Sequence, residues 1–168
     1  MYKKQASKIT GGLSAPGKMP EGSYNLPASH CQTGQKLALI EGTPCSGCYA
    51  LKGRYRFPNV KDALARRLDS LKHPDWVPAM VKLIQGIKYF RWPDSGDLQS
   101  AWHLQQIFRV CEATPATSPW LPTQETSRAP GTYNRSSEYA KRRRRPVTGC
   151  RLKSANTCRW RAPQFRQI

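Results

Sequence analysis

Ile87-Lys88-Tyr89-Phe90-Arg91-Trp92, followed at once by Pro93-Asp94-Ser95-Gly96-Asp97, is the stretch on which the fold turns. Six short, aromatic, β-favouring residues run into five turn formers, so the pair reads as a strand that feeds a loop. Upstream, Val60, Leu64, Leu68 and Leu71 share one helical face while Lys61, Arg66, Arg67 and Asp69 point away, with Asn59 as a good N-cap. This predicts a helix over residues 60–72. His73-Pro74-Asp75-Trp76 breaks the pattern, and Val77, Met80, Val81 and Ile84 restart it as a second helix that runs to about residue 86. Downstream, Leu98, Ala101, Leu104, Ile107, Phe108 and Cys111 return to helical spacing, and Trp120-Leu121-Pro122 is a brief apolar segment closed by Thr123-Gln124-Glu125. Helix, strand, helix, strand argues for an α/β fold with parallel strands and helical crossovers. Such sheets bind ligands at the carboxyl ends of their strands, where the Asp94–Asp97 loop lies.

The 168 residues suit one domain with tails. Residues 1–19, rich in Gly, Ser, Pro and Lys, lack apolar periodicity and read as a flexible, disordered arm. Residues 20–126 carry the α/β pattern, and residues 127–168 form a basic tail without helical or strand period, expected to be disordered. In the turn-rich segment before residue 58, Lys36-Leu37-Ala38-Leu39-Ile40 is the one apolar run and a candidate strand. The formal charge of +18 favours polyanions such as nucleic acid, although more than half of the excess lies after residue 134. No apolar run approaches the roughly 20 residues needed to cross a bilayer, and the N-terminus lacks a secretory signal. A cytoplasmic protein with no membrane partner is therefore expected. In that reducing setting the six cysteines point to metal or redox chemistry rather than to a disulfide framework.

Cys45-Ser46-Gly47-Cys48 is the sharpest local signal, because two intervening residues, one of them Gly, let a turn aim both sulfurs at one metal. Cys31, in another turn-rich segment, is a candidate third ligand. Three thiolates suit either zinc, with His30 as a fourth ligand, or a 4Fe-4S cluster held at three irons. A thiol-disulfide oxidoreductase uses the same two-residue spacing, usually where a helix opens after a strand, and two unliganded loop thiols are the bland alternative. Asp94 and Asp97 flank Ser95-Gly96 at a strand end, where carboxylates bind an ammonium, a ribose hydroxyl or a metal. Taken alone, Asp97 is explained better as the N-cap of the helix starting near Leu98. Glu125 occupies the matching place after the next apolar segment. Cys111 and the aromatic residues Tyr89, Phe90, Trp92, Trp102 and Trp120 fit core positions, while Cys150 and Cys158 match no compact metal knuckle. Arg142–Arg145 either contacts nucleic acid phosphates or is a solvated charge cluster.

Several motifs in order, Cys45-Ser-Gly-Cys48-Tyr-Ala-Leu-Lys-Gly, Tyr55-Arg-Phe-Pro-Asn59, His73-Pro-Asp-Trp76, Tyr89-Phe-Arg-Trp92, Asp94-Ser-Gly-Asp97-Leu-Gln and Trp120-Leu-Pro-Thr123, carry a resemblance to a known family. Over about residues 18–125 the chain resembles the phage and bacterial proteins named for phage gene product 88. In layout it is similar to radical S-adenosylmethionine enzymes, and that likeness implies a partial (β/α) barrel-like domain, here incomplete, and a cluster held by Cys31, Cys45 and Cys48. It also implies S-adenosylmethionine with its amine near Ser95, Gly96 and Asp97, acting on an unknown substrate. A zinc-stabilised nucleic-acid-binding protein that uses the basic tail is the alternative, and the oxidoreductase a second. The arginine-rich end is what an out-of-frame or aberrant terminus would produce, so a truncated, inactive product is expected.

Overall fold

The structure is a computed structural model that describes residues 1–17, 21–125 and the backbone of residues 150–151. The helices are α1 (Lys3–Thr10), α2 (Gln32–Ala38), α3 (Pro58–Ser70), α4 (Trp76–Ile84) and α5 (Ala101–Ala113). The strands are β1 (Tyr89–Arg91), β2 (Ser118–Leu121) and β3 (Cys150–Arg151). Single 3-10 turns at Ala28–His30, Tyr49–Leu51 and Gly53–Arg56 articulate the segment before α3. No helix among the described residues is long and apolar enough to cross a membrane.

β1 and β2 pair in parallel, Tyr89 opposite Ser118 and Arg91 opposite Trp120, and α5 makes the crossover that parallel pairing requires. Across that register the Arg91 guanidinium lies 4.7 Å from the Trp120 ring centroid, a cation–π contact on the sheet face. β3 pairs antiparallel with the other side of β2. The described residues therefore form a small mixed sheet, and the partial barrel implied by the resemblance is not seen among them. Apart from β3, which the absence of periodicity did not foretell, the tail expected to be disordered lies outside the described residues.

Two N-terminal expectations are corrected. Lys3–Thr10 is a helix rather than an arm: Ala6 and Thr10 are fully buried, and Gly11, in the left-handed region at φ 75°, ends it. The apolar stripe was hard to read because its core contacts come from small residues. Lys36–Ile40 is not a strand: Lys36, Leu37 and Ala38 complete α2, in which Leu37 is buried while Leu39 beyond it is 89 % exposed. α3 starts at Pro58 with no side-chain cap, so Asn59 lies inside its first turn, and Arg67, expected outside, is buried. Its Nε donates to Gly12 O at 2.7 Å, a partner 55 residues earlier that helical periodicity cannot reveal.

Aromatic rings bind these elements into one core. Phe90 meets Trp92 edge-on at 4.9 Å, Tyr24 meets Trp76 at 5.6 Å, and Trp76 stands 6.1 Å from both Trp92 and His103. Trp76 Nε1 donates to the Tyr24 hydroxyl, which in turn donates to Thr10 O at 2.7 Å, so the ring cluster also fixes the end of α1. Leu26, Met80, Ile84, Ile107, Val110 and Leu121 fill the space around the rings. Ser23 forms a parallel bridge to Arg91, and Tyr24 N and Leu26 N donate to Arg91 O and Ser95 O. Through this edge pairing the chain entering the cysteine segment is laid beside the carboxyl end of β1.

Candidate metal centre

Directly after the extended segment Ser23–Leu26, the chain turns through Ala28–His30 and reaches Cys31, the residue that precedes α2. Cys45 and Cys48 lie in the next connection, closed by Cys48 N donating to Cys45 O at 3.2 Å, with Cys48 heading the Tyr49–Leu51 turn. All three carry free thiols and are partly buried. Gly34, one turn into α2, separates two of them. A Cβ on residue 34 would stand 3.6 Å from Cys31 Sγ and 3.7 Å from Cys45 Sγ, and only 2.9 Å from Cys31 Cβ. The absence of that single carbon keeps open the space onto which two sulfurs 14 residues apart converge.

Two strand-end loops form the opposite wall. Asp97, after β1, is 5 % exposed, and its carboxylate accepts from Leu98 N, Thr123 Oγ1 and Gln124 N at 2.7, 2.5 and 2.8 Å. It therefore ties the loop after β1 to the loop after β2. It does not cap α5, which starts at Ala101 and is capped by the Ser100 hydroxyl accepting from His103 N. Glu125 extends the tie to the cysteine segment, its two carboxylate oxygens accepting from Thr33 N at 3.1 Å and Thr33 Oγ1 at 2.8 Å. Thr33 stands two residues from Cys31, so this bidentate contact, together with Gln32 Nε2 donating to Gln99 O at 2.9 Å, docks α2 on the carboxyl end of the sheet.

Ser95 and Gly96 are committed in the same way. Ser95 Oγ donates to Leu26 O, and Gly96, at φ 79°, runs so close to Leu26 that a Cβ would meet its backbone at 2.7 Å. Only glycine satisfies both constraints. Asp94 is bonded by Arg91 Nη1 at 2.9 Å and by the hydroxyls of Tyr55, at 2.7 Å, and Tyr49. Both tyrosines come from the short turns after Cys48, so Asp94 anchors that end of the cysteine segment as Glu125 anchors the other. Thr33, Gly34, Tyr49 and Tyr55 are site-building residues that the sequence reading missed. The one signal that could have flagged Gly34 is its place three residues after Cys31.

Burial pushes the Cys31 thiol up to about 12, and the nearby Asp97, Cys48, Cys45 and Glu125 all add in the same direction. Burial first, then Cys48 and Asp97, raise Cys45. Burial also raises the Asp97 carboxyl despite the three hydrogen bonds that oppose it. Every one of these neighbours of the thiols is itself an acid or an acceptor, so each disfavours a second negative charge. A bound cation would reverse the sign of those interactions.

The sequence-predicted residues divide accordingly. Cys31 lies within electrostatic reach of Asp97, Cys48, Cys45 and Glu125, and Cys45 within reach of Cys48 and Asp97. His30 is exposed, with Nδ1 3.2 Å from the Ser29 hydroxyl. Cys111 is on the core side of α5, as expected, and burial raises it to about 12. Among the described residues, no three His, Cys, Asp or Glu side chains stand close enough together to enclose a single ion.

The family model of gene product 88 matches residues 1–141, a span that takes in α1 and extends past residue 125, where the recognised motifs end. Neither a curated protein nor a solved structure matches the chain.

Proposed function

This chain belongs to the gene product 88 family, and on that premise we propose that it is a metalloprotein in which Cys31, Cys45 and Cys48 hold an iron–sulfur cluster of the 4Fe-4S type. The observation that carries the proposal is the convergence of the Cys31 and Cys45 sulfurs on the space beside Gly34. A cluster spreads its thiolates over different irons, whereas the ligands of one zinc must close on a single point. The Cys31 and Cys45 sulfurs, which approach one shared space from turns 14 residues apart, are placed as the first arrangement needs. Three thiolates would hold three irons and leave the fourth without a protein sulfur. When bound, the cluster would supply electron transfer or an open iron site.

The protein's own contribution is shape and exclusion. Asp97 and Glu125 clamp the two strand-end loops to α2, Asp94 fixes the turns after Cys48, and the aromatic core supports all three from below. Thiols raised by burial lose their protons on binding metal, so uptake releases protons and strengthens as pH rises. An S-adenosylmethionine amine would find Asp97 already accepting three hydrogen bonds and Ser95 turned to Leu26. These residues fit the shaping of the crevice, and no chemical step is assigned to that cofactor.

Anaerobic reconstitution with iron and sulfide tests the proposal. The expected result is a broad visible absorption that is lost in Cys45→Ala. Stoichiometric zinc with no such absorption would overturn it.

A further inference from the structure

α1 and α3 face each other with like charges. Lys4 and Lys8 lie on the same side of α1 as Ser7 and Gly11, at helical spacing. Opposite them stand Arg66 and Asp69 of α3, with Lys72 and His73 in the turn that follows. Between the two helices is an open cleft of about 940 Å³. Four of its lining side chains are permanent cations and one is an acid, and no ion pair joins Asp69 to any of them among the described residues.

A fifth cation lies behind this surface. A Cβ on Gly11 would come within 3.0 Å of Arg67 Cγ, which puts the buried Arg67 side chain directly beneath the cleft wall. Its guanidinium donates only to the carbonyls of Gly12 and Leu13, and no carboxylate neutralises it among the described residues. Like charges gathered on one surface repel one another, and a bound polyanion would offset that repulsion. Here the other face of α1, with Ala6 and Thr10, is the one that enters the core, so the cationic face is left free to serve a ligand.

We propose that the cleft between α1 and the C-terminal end of α3 binds a phosphate-bearing ligand, its phosphates held by Lys4, Lys8, Arg66 and Lys72. The site is built from well-packed helices and is independent of the cysteines. Two sources share this chemistry, a small polyphosphate compound and the backbone of single-stranded nucleic acid. An open cleft lined by several separated cations accommodates either one.

The test uses the full chain and two probes, inorganic tripolyphosphate followed by calorimetry and a single-stranded DNA of about 12 nucleotides followed by anisotropy. The double variant K8E/R66E reverses two exposed cleft charges, and K61E reverses an exposed charge on α3 outside the cleft. Circular dichroism checks that both remain folded. The double variant is expected to weaken binding roughly tenfold or more while K61E has a small effect. Loss with tripolyphosphate supports a small polyphosphate ligand. Loss with DNA alone, accompanied by a fall of about 1.4 in the log–log salt slope for two lost contacts, supports the nucleic acid backbone. If neither probe binds, if K8E/R66E binds both as the parent does, or if K61E weakens binding equally, the proposal is overturned.

Discussion

Between Trp76 and Trp92 the chain is held by rings packed 4.9 to 6.2 Å apart and by α4, whose Trp76, Ala79, Met80 and Ile84 are buried. Between Cys31 and Phe57 it is held by single turns, a seven-residue helix and a few side-chain ties. The first region draws its stability from area removed from water, the second from point contacts such as Glu125 on Thr33 and Tyr55 on Asp94. The difference explains where chemistry can sit. A loop region that cannot form a core of its own is free to present sulfurs, provided a rigid sheet end holds it in place.

The contrast can be broken at four strengths. Trp76→Ala should have the largest effect, about 3–5 kcal/mol, because a fully buried ring contacting Tyr24, Trp92 and His103 is deleted. Urea denaturation would read it, and a loss below about 1 kcal/mol would mean that the ring cluster is not the scaffold. Acid comes next. His103, 4 % exposed, is held by burial at about 4, whereas the unfolded imidazole takes up its proton near 6.5. Its folded form is the harder to protonate, so stability is complete above pH ~6.5 and declines as pH falls towards 4, by up to about 3 kcal/mol. Urea midpoints at pH 7 and 4.5 should converge in His103→Gln, and an unchanged acid slope in that variant would place the sensitivity elsewhere.

Asp97→Ala should cost about 2 kcal/mol, since it strands the Leu98 and Gln124 amides that the carboxylate satisfies. It should also loosen both strand-end loops, which hydrogen exchange at residues 93–98 and 121–125 would register. Glu125→Ala should have the smallest effect on stability, about 1 kcal/mol, yet it should weaken metal retention markedly because α2 loses its clamp. If that variant retains metal as the parent does, the clamp has no part in holding Cys31.

The same contrast explains what was legible in the sequence. α3, α4 and α5 were readable because long apolar residues recur with the helical period, and the two parallel strands because short aromatic or apolar runs end in turn formers, although Tyr89, Trp102 and Trp120, expected in the core, are 49, 49 and 41 % exposed. α1 was missed because its buried positions are Ala6 and Thr10, and α2 was mistaken for a strand because only Leu37 of its apolar run is buried. In the site, Cys45 and Cys48 announce themselves by spacing. The partners of Asp97, Glu125 and Asp94 are separated from them by 26, 92 and 39 residues, and no local pattern encodes such pairs. Arg67 looked solvated for the same reason, since its acceptors are carbonyls at the end of α1.

Metal and sulfide analysis of anaerobically purified full-length protein, compared with Cys31→Ala, tests the central claim most directly. If all three thiols serve one cluster, the parent should carry about four irons and four sulfides per chain and the variant should lose them. A Cys31→Ala protein that keeps the parent's full load would show that Cys45 and Cys48 act without it, and would contradict the account.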